Sequence, residues 1–414
     1  FFSLKLVYNK QDILEQADET DAMFGELYSW YLRNPEYRSR VQKLVQSAFA
    51  GKPEDIISQS VAKALYGEVS PYSATRLERF AACAFAHFLQ YGMKLTERVE
   101  YEFKPMDMGN VMHEALESFA EEVRKRGMKW TELTEQERNE IADRCLDNIV
   151  ADYGNTVLKS SARNEYMIER TRRILRRTVW ALQKQLEQGE FQPEGFEVTF
   201  GGGRIDRVDI MEDQNKVYVK VIDYKTGNTS FDLVYLYHGL QLQLMIYLDG
   251  ALRVEQKKYP DKEIIPAGVF YYNIKDPMIQ EKIDADVEAV SAGLMKELVQ
   301  ADSELVYRMD SSLGSIPVAF NKDGSFRKNS SVADRTQFAV LGRYVRTKIE
   351  KIRSSILEGD AEVSPYELGK KNACTYCPYM TVCGFDRRLS GYEFRRLKNF
   401  SDEELWKAFD REAE

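Results

Sequence analysis

Two short segments of the sequence carry acidic side chains at a spacing that suits a divalent metal ion. The first is Gly-Arg-Ile-Asp, which ends at Asp206, and the second is Asp-Tyr-Lys, which begins at Asp223. Both lie where apolar residues alternate with other residues, which predicts two β-strands joined by a short hairpin. Pairing of these strands could bring the two carboxylates together, and adjacent carboxylates are best tolerated when a divalent cation neutralises them.

Lys225 completes the pattern, because it is two residues from Asp223 and therefore shares its face of the strand. A lysine there can orient a water molecule or stabilise charge on a phosphate. The pattern thus indicates metal-assisted hydrolysis of a phosphodiester. The alternative is a hairpin with a solvated polar face, since Asp-x-Lys alone is a common tripeptide. Apolar residues surround Asp223, which an exposed hairpin does not need, so we favour the metal site.

Four further residues are weaker candidates when each is considered alone. Asp209 is an alternative to Asp206, but strand alternation places it on the opposite face. His113 lies in a segment with helical spacing, where a single histidine is more often structural. Gln243 and Tyr247 are one turn apart on a predicted helix, and such a pair is usually a surface amide and a core aromatic.

Four motifs follow one another along the chain: a helix histidine (His113), Gly-Arg-Ile-Asp206, Asp223-Tyr-Lys and the helical pair Gln243 and Tyr247. Their order resembles the RecB-family nuclease module, a branch of the PD-(D/E)xK superfamily. The resemblance implies an α/β fold, with a small central mixed sheet flanked by helices and with helical insertions. It also implies a bound Mg²⁺ or Mn²⁺ ion. Under this resemblance the ligands would be His113, Asp206, Asp223 and the carbonyl of Tyr224, Lys225 would position water, and Gln243 and Tyr247 would contact DNA or shape the site.

Five cysteines are present, and three of them, Cys374, Cys377 and Cys383, fall within ten residues. In a chain without a signal-peptide pattern, this grouping indicates a metal or cluster site instead of disulfides. A fourth ligand would have to be Cys83 or Cys145. Four thiolates can hold either zinc or an iron–sulfur cluster, so the spacing alone does not decide between them.

A single early cysteine followed by Cys-x₂-Cys-x₅-Cys is similar to the AddB-type nuclease domains of the same family. This resemblance implies a [4Fe–4S] cluster held by Cys83, Cys374, Cys377 and Cys383, which would join both ends of the domain. Cys145 would then be a buried core thiol. The resemblance further implies an AddA-type helicase–nuclease partner and, as substrate, a single DNA strand from an unwound duplex end.

The rest of the sequence supplies elements that could position these residues. Hydrophobic residues make up 43% and charged residues 30%, an ordinary globular mixture, and the net charge of −8 argues against a protein that coats nucleic acid. Apolar spacing predicts helices over about 73–92, 109–125, 134–152, 163–188, 232–252, 280–300 and 332–357, and strands over 196–200, 204–211, 216–224 and 268–274.

We expect three regions: a helical remnant of an upstream helicase-like region (1–69), the nuclease domain (70–390) and a C-terminal helix (391–414). The sequence does not begin with Met, so we expect a fragment.

No apolar run approaches the roughly 20 residues of a membrane helix, and no signal peptide is evident, so we expect a cytoplasmic protein without membrane association. The Gly-rich stretch before Arg204 has fewer residues than the corresponding stretch of the nuclease family that this chain resembles.

Arginines at helical spacing form a candidate track for DNA phosphates, although such a group is more often a solvated helix face. These arginines are Arg172, Arg173, Arg176 and Arg177.

The leading hypothesis for function is a metal-dependent DNA exonuclease that acts in double-strand break processing. One alternative is a catalytically silent iron–sulfur scaffold that binds DNA ends and the helicase partner. Another is a standalone single-strand exonuclease.

Overall fold

A mixed β-sheet flanked by helices forms the centre of the computed structural model of this chain. The predicted N-terminal region and the helix predicted over 280–300 both lie partly outside the residues that the structure describes. Those described residues are 19–49, 56–67, 72–96, 105–152, 161–201, 203–274, 295–316, 318–388 and 391–413.

Helices precede the sheet along the chain, and the longer ones bury a stripe of apolar residues at helical spacing. The predictions over 109–125, 134–152 and 163–188 are confirmed. In chain order these helices are α1 (Glu19–Arg33), α2 (Pro35–Phe49), α3 (Gln59–Tyr66), α4 (Ala74–Ala82), α5 (Ala84–His87), α6 (Pro105–Lys125), α7 (Glu135–Asp152) and α8 (Ala162–Glu187).

The central sheet has six strands within the described residues, and their spatial order follows the chain. The pairs β3–β4 and β5–β6 are parallel and the other neighbours are antiparallel, so the predicted mixed sheet is confirmed. The strands are β1 (Gln192–Phe200), β2 (Gly203–Asp213), β3 (Lys216–Lys225), β4 (Glu263–Asn273), β5 (Met295–Gln300) and β6 (Val332–Ala333).

Further helices and a small second sheet accompany and follow these strands. The helix predicted over 332–357 is confirmed, and a capping box at Asp334 begins it. These elements are α9 (Leu233–Tyr237), α10 (Gln243–Lys258), α11 (Ser303–Met309), α12 (Arg335–Glu358), β7 (Tyr366–Leu368), β8 (Lys371–Asn372), α13 (Met380–Cys383), β9 (Arg395–Arg396) and α14 (Asp402–Ala413).

The central sheet separates two apolar cores. On one face, α6, α7 and α8 bury residues such as Phe119 and Leu175 in what we call the first core. On the other face, α4, α10, α12 and α14 bury Leu77, Leu341 and Phe409 in the second core. Strand β3 shows the consequence, because Val217, Val219 and Val221 enter the second core while Tyr218, Ile222 and Tyr224 enter the first, which fixes its register.

Three predicted elements differ from the structure. The helix predicted over 232–252 is interrupted, because α9 ends at Tyr237 and α10 begins only at Gln243. The helix predicted over 73–92 breaks at Cys83, whose backbone is extended. Residues 295–300, predicted as helix, form strand β5 and pair with β4. Pairing with an existing strand here outweighs local helix propensity.

The predicted domain boundaries stay predictions. Ala62 and Tyr66 of α3 are buried in the second core, so packing joins this helix to residues beyond the boundary expected after residue 69. Across the part of the chain that the structure describes, every helix is too short or too polar to cross a bilayer.

Candidate active site

Three carboxylates stand in a row across the first three strands of the central sheet. The register of β1 and β2 puts Glu197 opposite Asp206. The register of β2 and β3 pairs Arg207 with Ile222, and its next position puts Asp206 opposite Asp223. The structure thus brings the two predicted aspartates together. Glu197 is the neighbour that the sequence interpretation missed.

Glu197 has an unusual backbone, with φ of 49° in the left-handed region. This conformation interrupts the alternation of β1, because Phe196 packs against the first core and Val198 packs against the second. The Glu197 side chain is directed to the strand end, where it forms an ion pair with Arg204 and lies 3.8 Å from His113 Nδ1. A non-glycine residue in this conformation is strained by about 1 kcal/mol or more.

His113 enters the site from α6, on the side of the first core. Its Nδ1 atom lies 3.3 Å from Asp206 Oδ2, and its Nε2 atom lies 3.0 Å from the carbonyl oxygen of Tyr224. The Tyr224 amide donates to the same Asp206 oxygen at 2.7 Å. Burial lowers the pKa of His113, but hydrogen bonds to Asp206 and Glu197 outweigh burial and raise the pKa to about 10.

Asp223 is almost completely buried, and only one of its oxygens has a hydrogen bond of ordinary geometry. Oδ1 accepts from Gln243 Nε2 at 2.8 Å, whereas Oδ2 lies 2.6 Å from Lys225 Nζ without a well-aligned bond. Burial, and then the charge of Asp206, raise the pKa of Asp223 to about 7, and Lys225 offsets this only in part. A cation at this position would relieve the repulsion between the two aspartates.

Gln243 connects the lysine and the aspartate of the Asp-Tyr-Lys motif. Its Oε1 atom accepts from Lys225 Nζ at 2.9 Å, while its Nε2 atom donates to Asp223 and lies 3.0 Å from Tyr247 Oη. The predicted pair one helical turn apart is therefore directed at the carboxylates. Gln243 is the first residue of α10 and comes from the side of the second core.

These side chains fit a divalent cation. Among the described residues, His113, Glu197 and Asp206 are the group of three whose ligand atoms all lie within 4.8 Å of one another. The buried Oδ2 of Asp223, without an aligned donor, and the Tyr224 carbonyl lie beside this group. Carboxylate and carbonyl oxygens with one imidazole suit Mg²⁺ or Mn²⁺.

Asp209 lies on the face of β2 opposite Asp206, and its partner Arg207 lies over Trp130 and Phe196 of the first core. It is fully buried and bonds Arg207 through Nε at 2.5 Å and Nη2 at 2.9 Å. Lys220 Nζ lies 3.0 Å from its second oxygen. Burial raises the pKa of Asp209, but Arg207 and Lys220 outweigh burial, so the net shift is downward. This carboxylate is already neutralised by two cations.

Two of the candidate cluster cysteines, Cys83 and Cys377, lie in one apolar group just after the end of α4. Cys83, the residue that ends α4, packs in an apolar group with Leu89, Tyr379 and Cys377. Burial, and then the neighbouring thiols of Cys83, Cys377 and Cys383, raise the pKa of Cys374 to about 12. Cys145 is elsewhere, buried in the first core, as predicted for a core thiol.

The four arginines of the candidate DNA track differ in their surroundings. Arg172 Nη2 lies 2.7 Å from Asp147, and Arg176 forms an ion pair with Asp143, so both cations join α8 to α7. The assignment of these four arginines to a phosphate track stays a prediction, and two of the four charges are already paired with carboxylates of α7. Arg173 is exposed and Arg177 is half-buried on other parts of the helix surface.

Comparison with known proteins identifies the class to which this fold and site belong. Residues 71–384 match the PD-(D/E)XK nuclease superfamily, and the chain belongs to that superfamily. The small mixed sheet flanked by helices and the carboxylates at its strand ends agree with this membership.

Three relatives with curated names are similar to almost the whole chain. A protein of Lachnoclostridium phytofermentans, named as a subunit of an ATP-dependent helicase/deoxyribonuclease, is 41% identical over 96% of this chain. Proteins of the same name from Thermoanaerobacter sp. (strain X514) and Alkaliphilus metalliredigens are each 33% identical, over 96% and 98% of the chain. The chain spans 36%, 37% and 38% of the lengths of these three relatives, respectively.

Proposed function

We propose that this chain is the nuclease region of a helicase–deoxyribonuclease subunit, of the kind named for its relatives. It would hydrolyse phosphodiester bonds of a single DNA strand, as an exonuclease, when an AddA-type helicase partner delivers that strand during double-strand break processing. The observation that carries the proposal is the row of Glu197, Asp206 and Asp223 beside His113 and Lys225.

A bound Mg²⁺ or Mn²⁺ ion would be held by His113, Asp206, Asp223 and the Tyr224 carbonyl, with Glu197 beside them. When bound, such an ion polarises a phosphate oxygen and activates water. Lys225 carries its ammonium group to the edge of this site, where it can hold a water molecule or a phosphate oxygen.

We also propose that Cys83, Cys374, Cys377 and Cys383 hold a [4Fe–4S] cluster. Two observations support this assignment: Cys83 and Cys377 share one apolar group, and the thiols of Cys83, Cys377 and Cys383 lie near enough to Cys374 to raise its pKa. Four thiolates can also hold zinc, so metal analysis of the purified protein distinguishes the two: the proposal expects bound iron and visible absorption, and bound zinc without iron would overturn it.

Degradation of end-labelled single-stranded DNA with Mg²⁺ tests the nuclease proposal. The parent chain is compared with Asp223→Ala and Lys225→Ala, alone and with the helicase partner added. Glu403→Ala, an exposed change on α14, is the matched control. We expect both site variants to lose cleavage and the control to keep it.

Cleavage by Asp223→Ala at the parental rate would refute the proposed site. If the folded parent with its iron bound does not cleave even with the helicase partner, the silent scaffold becomes the better hypothesis.

A further inference from the structure

Helix α10 has its first amide groups capped by a residue from a different helix. Glu78 Oε1, on α4, accepts from the amides of Leu242 and Gln243 at 2.7 and 2.9 Å. Leu242 occupies the N-cap position of α10 and offers no side-chain cap of its own. The first amides of a helix need an acceptor, and Glu78 supplies it from 164 residues earlier in the chain.

Capping a helix with a buried carboxylate from another helix costs free energy that a local cap would not. Ser, Thr, Asp or Asn at position 242 would cap the first turn locally, through the amide of the second or third residue of the helix, without taking a distant carboxylate out of water. Burial raises the pKa of Glu78 to about 7, although the two backbone hydrogen bonds lower it. Unlike a local cap, however, the Glu78 carboxylate fixes the start of α10 relative to α4.

The residue fixed in this way is the one that organises the Asp-Tyr-Lys motif. Gln243 holds Lys225 through Oε1 and Asp223 through Nε2. Its side chain can bridge both groups only if its backbone stays at the present distance from β3. A shift of about 1 Å at the start of α10 would break at least one of these bonds.

We propose that Glu78 is a positioning residue of the candidate nuclease site, which fixes the first turn of α10 so that Gln243 holds Asp223 and Lys225 in their working geometry. This inference deepens the proposed function and rests on it. Glu78 itself contacts the Leu242 and Gln243 amides, not the candidate metal ligands, so it acts through Gln243.

The test compares Glu78→Ala, Glu78→Gln and Glu78→Asp with the parent in the full-length protein. Asp302→Ala is the matched control, because Asp302 Oδ1 likewise accepts from two first-turn amides, those of Glu304 and Leu305 in α11. Three quantities are measured: kcat and KM on single-stranded DNA, Mn²⁺ affinity by electron paramagnetic resonance, and hydrogen exchange of the α10 first-turn amides.

We expect Glu78→Ala to lower kcat and Mn²⁺ affinity by about 10–100-fold, while KM changes less than about twofold, since supporting residues of a metal site have effects of this size. The amides of Leu242 and Gln243 should exchange faster. Glu78→Gln keeps an acceptor oxygen and should retain activity within about threefold of the parent. Glu78→Asp keeps the charge but shortens the reach, so it should give an intermediate loss.

Parental kcat in Glu78→Ala with faster amide exchange would overturn the inference, as would equal losses in Glu78→Ala and Asp302→Ala. If Glu78→Ala does not fold, the comparison of Glu78→Gln with Glu78→Asp decides, and an inactive Glu78→Gln with parental amide exchange counts against positioning. If the parent itself does not cleave DNA, the proposed function fails, whereas Mn²⁺ affinity and amide exchange still decide the role of Glu78.

Discussion

Asp206 accepts a hydrogen bond from the amide of Tyr224, at 2.7 Å, and so its carboxylate is fixed beside that of Asp223. The two acids are neighbours because the β2–β3 register sets them opposite each other. Burial and this proximity raise the pKa of Asp223 to about 7. The site is therefore electrostatically unfavourable without a cation, which gives it measurable properties in metal-free protein.

Replacement of Asp223 by Asn should stabilise metal-free protein at neutral pH. The folded pKa of Asp223 lies above its ordinary value of 3.8, so the stability of the parent should fall as pH rises from about 4 through 7. Asparagine does not titrate, so Asp223→Asn should lack this fall. Urea unfolding with a chelator at about pH 5 and about pH 8 measures the difference. Asp402→Asn, at an exposed position on α14, is the control, and identical pH dependence in Asp223→Asn and the parent would contradict the expectation.

Truncation of Gln243 should reduce activity more than stability. Gln243→Ala removes the bridge between Lys225 and Asp223, and we expect kcat to fall by about 10–100-fold. Gln256→Ala is the matched control on the same helix, because the Gln256 amide bonds only backbone carbonyls, of Tyr259 and Lys262, in the described structure. Steady-state cleavage of labelled DNA distinguishes the two variants, and similar kcat values in both would rule out the bridge.

Loss of Cys83 should remove the cluster and loosen the fold. Cys83→Ser should abolish visible absorption and bound iron and lower the free energy of unfolding by about 2–5 kcal/mol, by analogy with a cross-link that closes a long loop. Cys145→Ser changes a thiol in the first core and should leave iron and absorption unchanged. Iron content and chemical unfolding measure both effects. Iron retained by Cys83→Ser and lost by Cys145→Ser would reverse the assignment.

Asp209 and Asp206 should respond differently to the same change. Asp209→Asn leaves Arg207 and Lys220 without their buried partner, so stability should fall by about 3–5 kcal/mol. Asp206→Asn should instead lower Mn²⁺ affinity with a smaller loss of stability. Unfolding and Mn²⁺ titration of both variants provide the measurement. A large loss of Mn²⁺ affinity in folded Asp209→Asn would make Asp209 the better candidate ligand.

The sequence pattern was sufficient to predict the β2–β3 hairpin, because both segments are rich in Val and Ile at period two and a short turn separates them. It also predicted that Gln243 and Tyr247 share one side of a helix. These features depend on residues that are close in the chain, where period and spacing determine which side chains share a face.

Features set by packing between distant segments could not be predicted. The position of Glu197 depends on a register shift between Pro193 and Gly195 in β1, which no local pattern indicates. The pairing of Arg172 and Arg176 with α7 depends on how two helices pack. The capping of α10 by Glu78 joins positions 164 and 165 residues apart.

The left-handed backbone at Glu197 places the needs of folding and chemistry in opposition at one position. Glycine adopts that conformation without strain, so the residue best suited to the backbone there has no carboxylate to offer. Glutamate supplies the carboxylate beside His113 and Arg204 at a conformational cost. Selection for stability alone would drive position 197 toward glycine, and the acidic side chain would persist only under continued selection for the site.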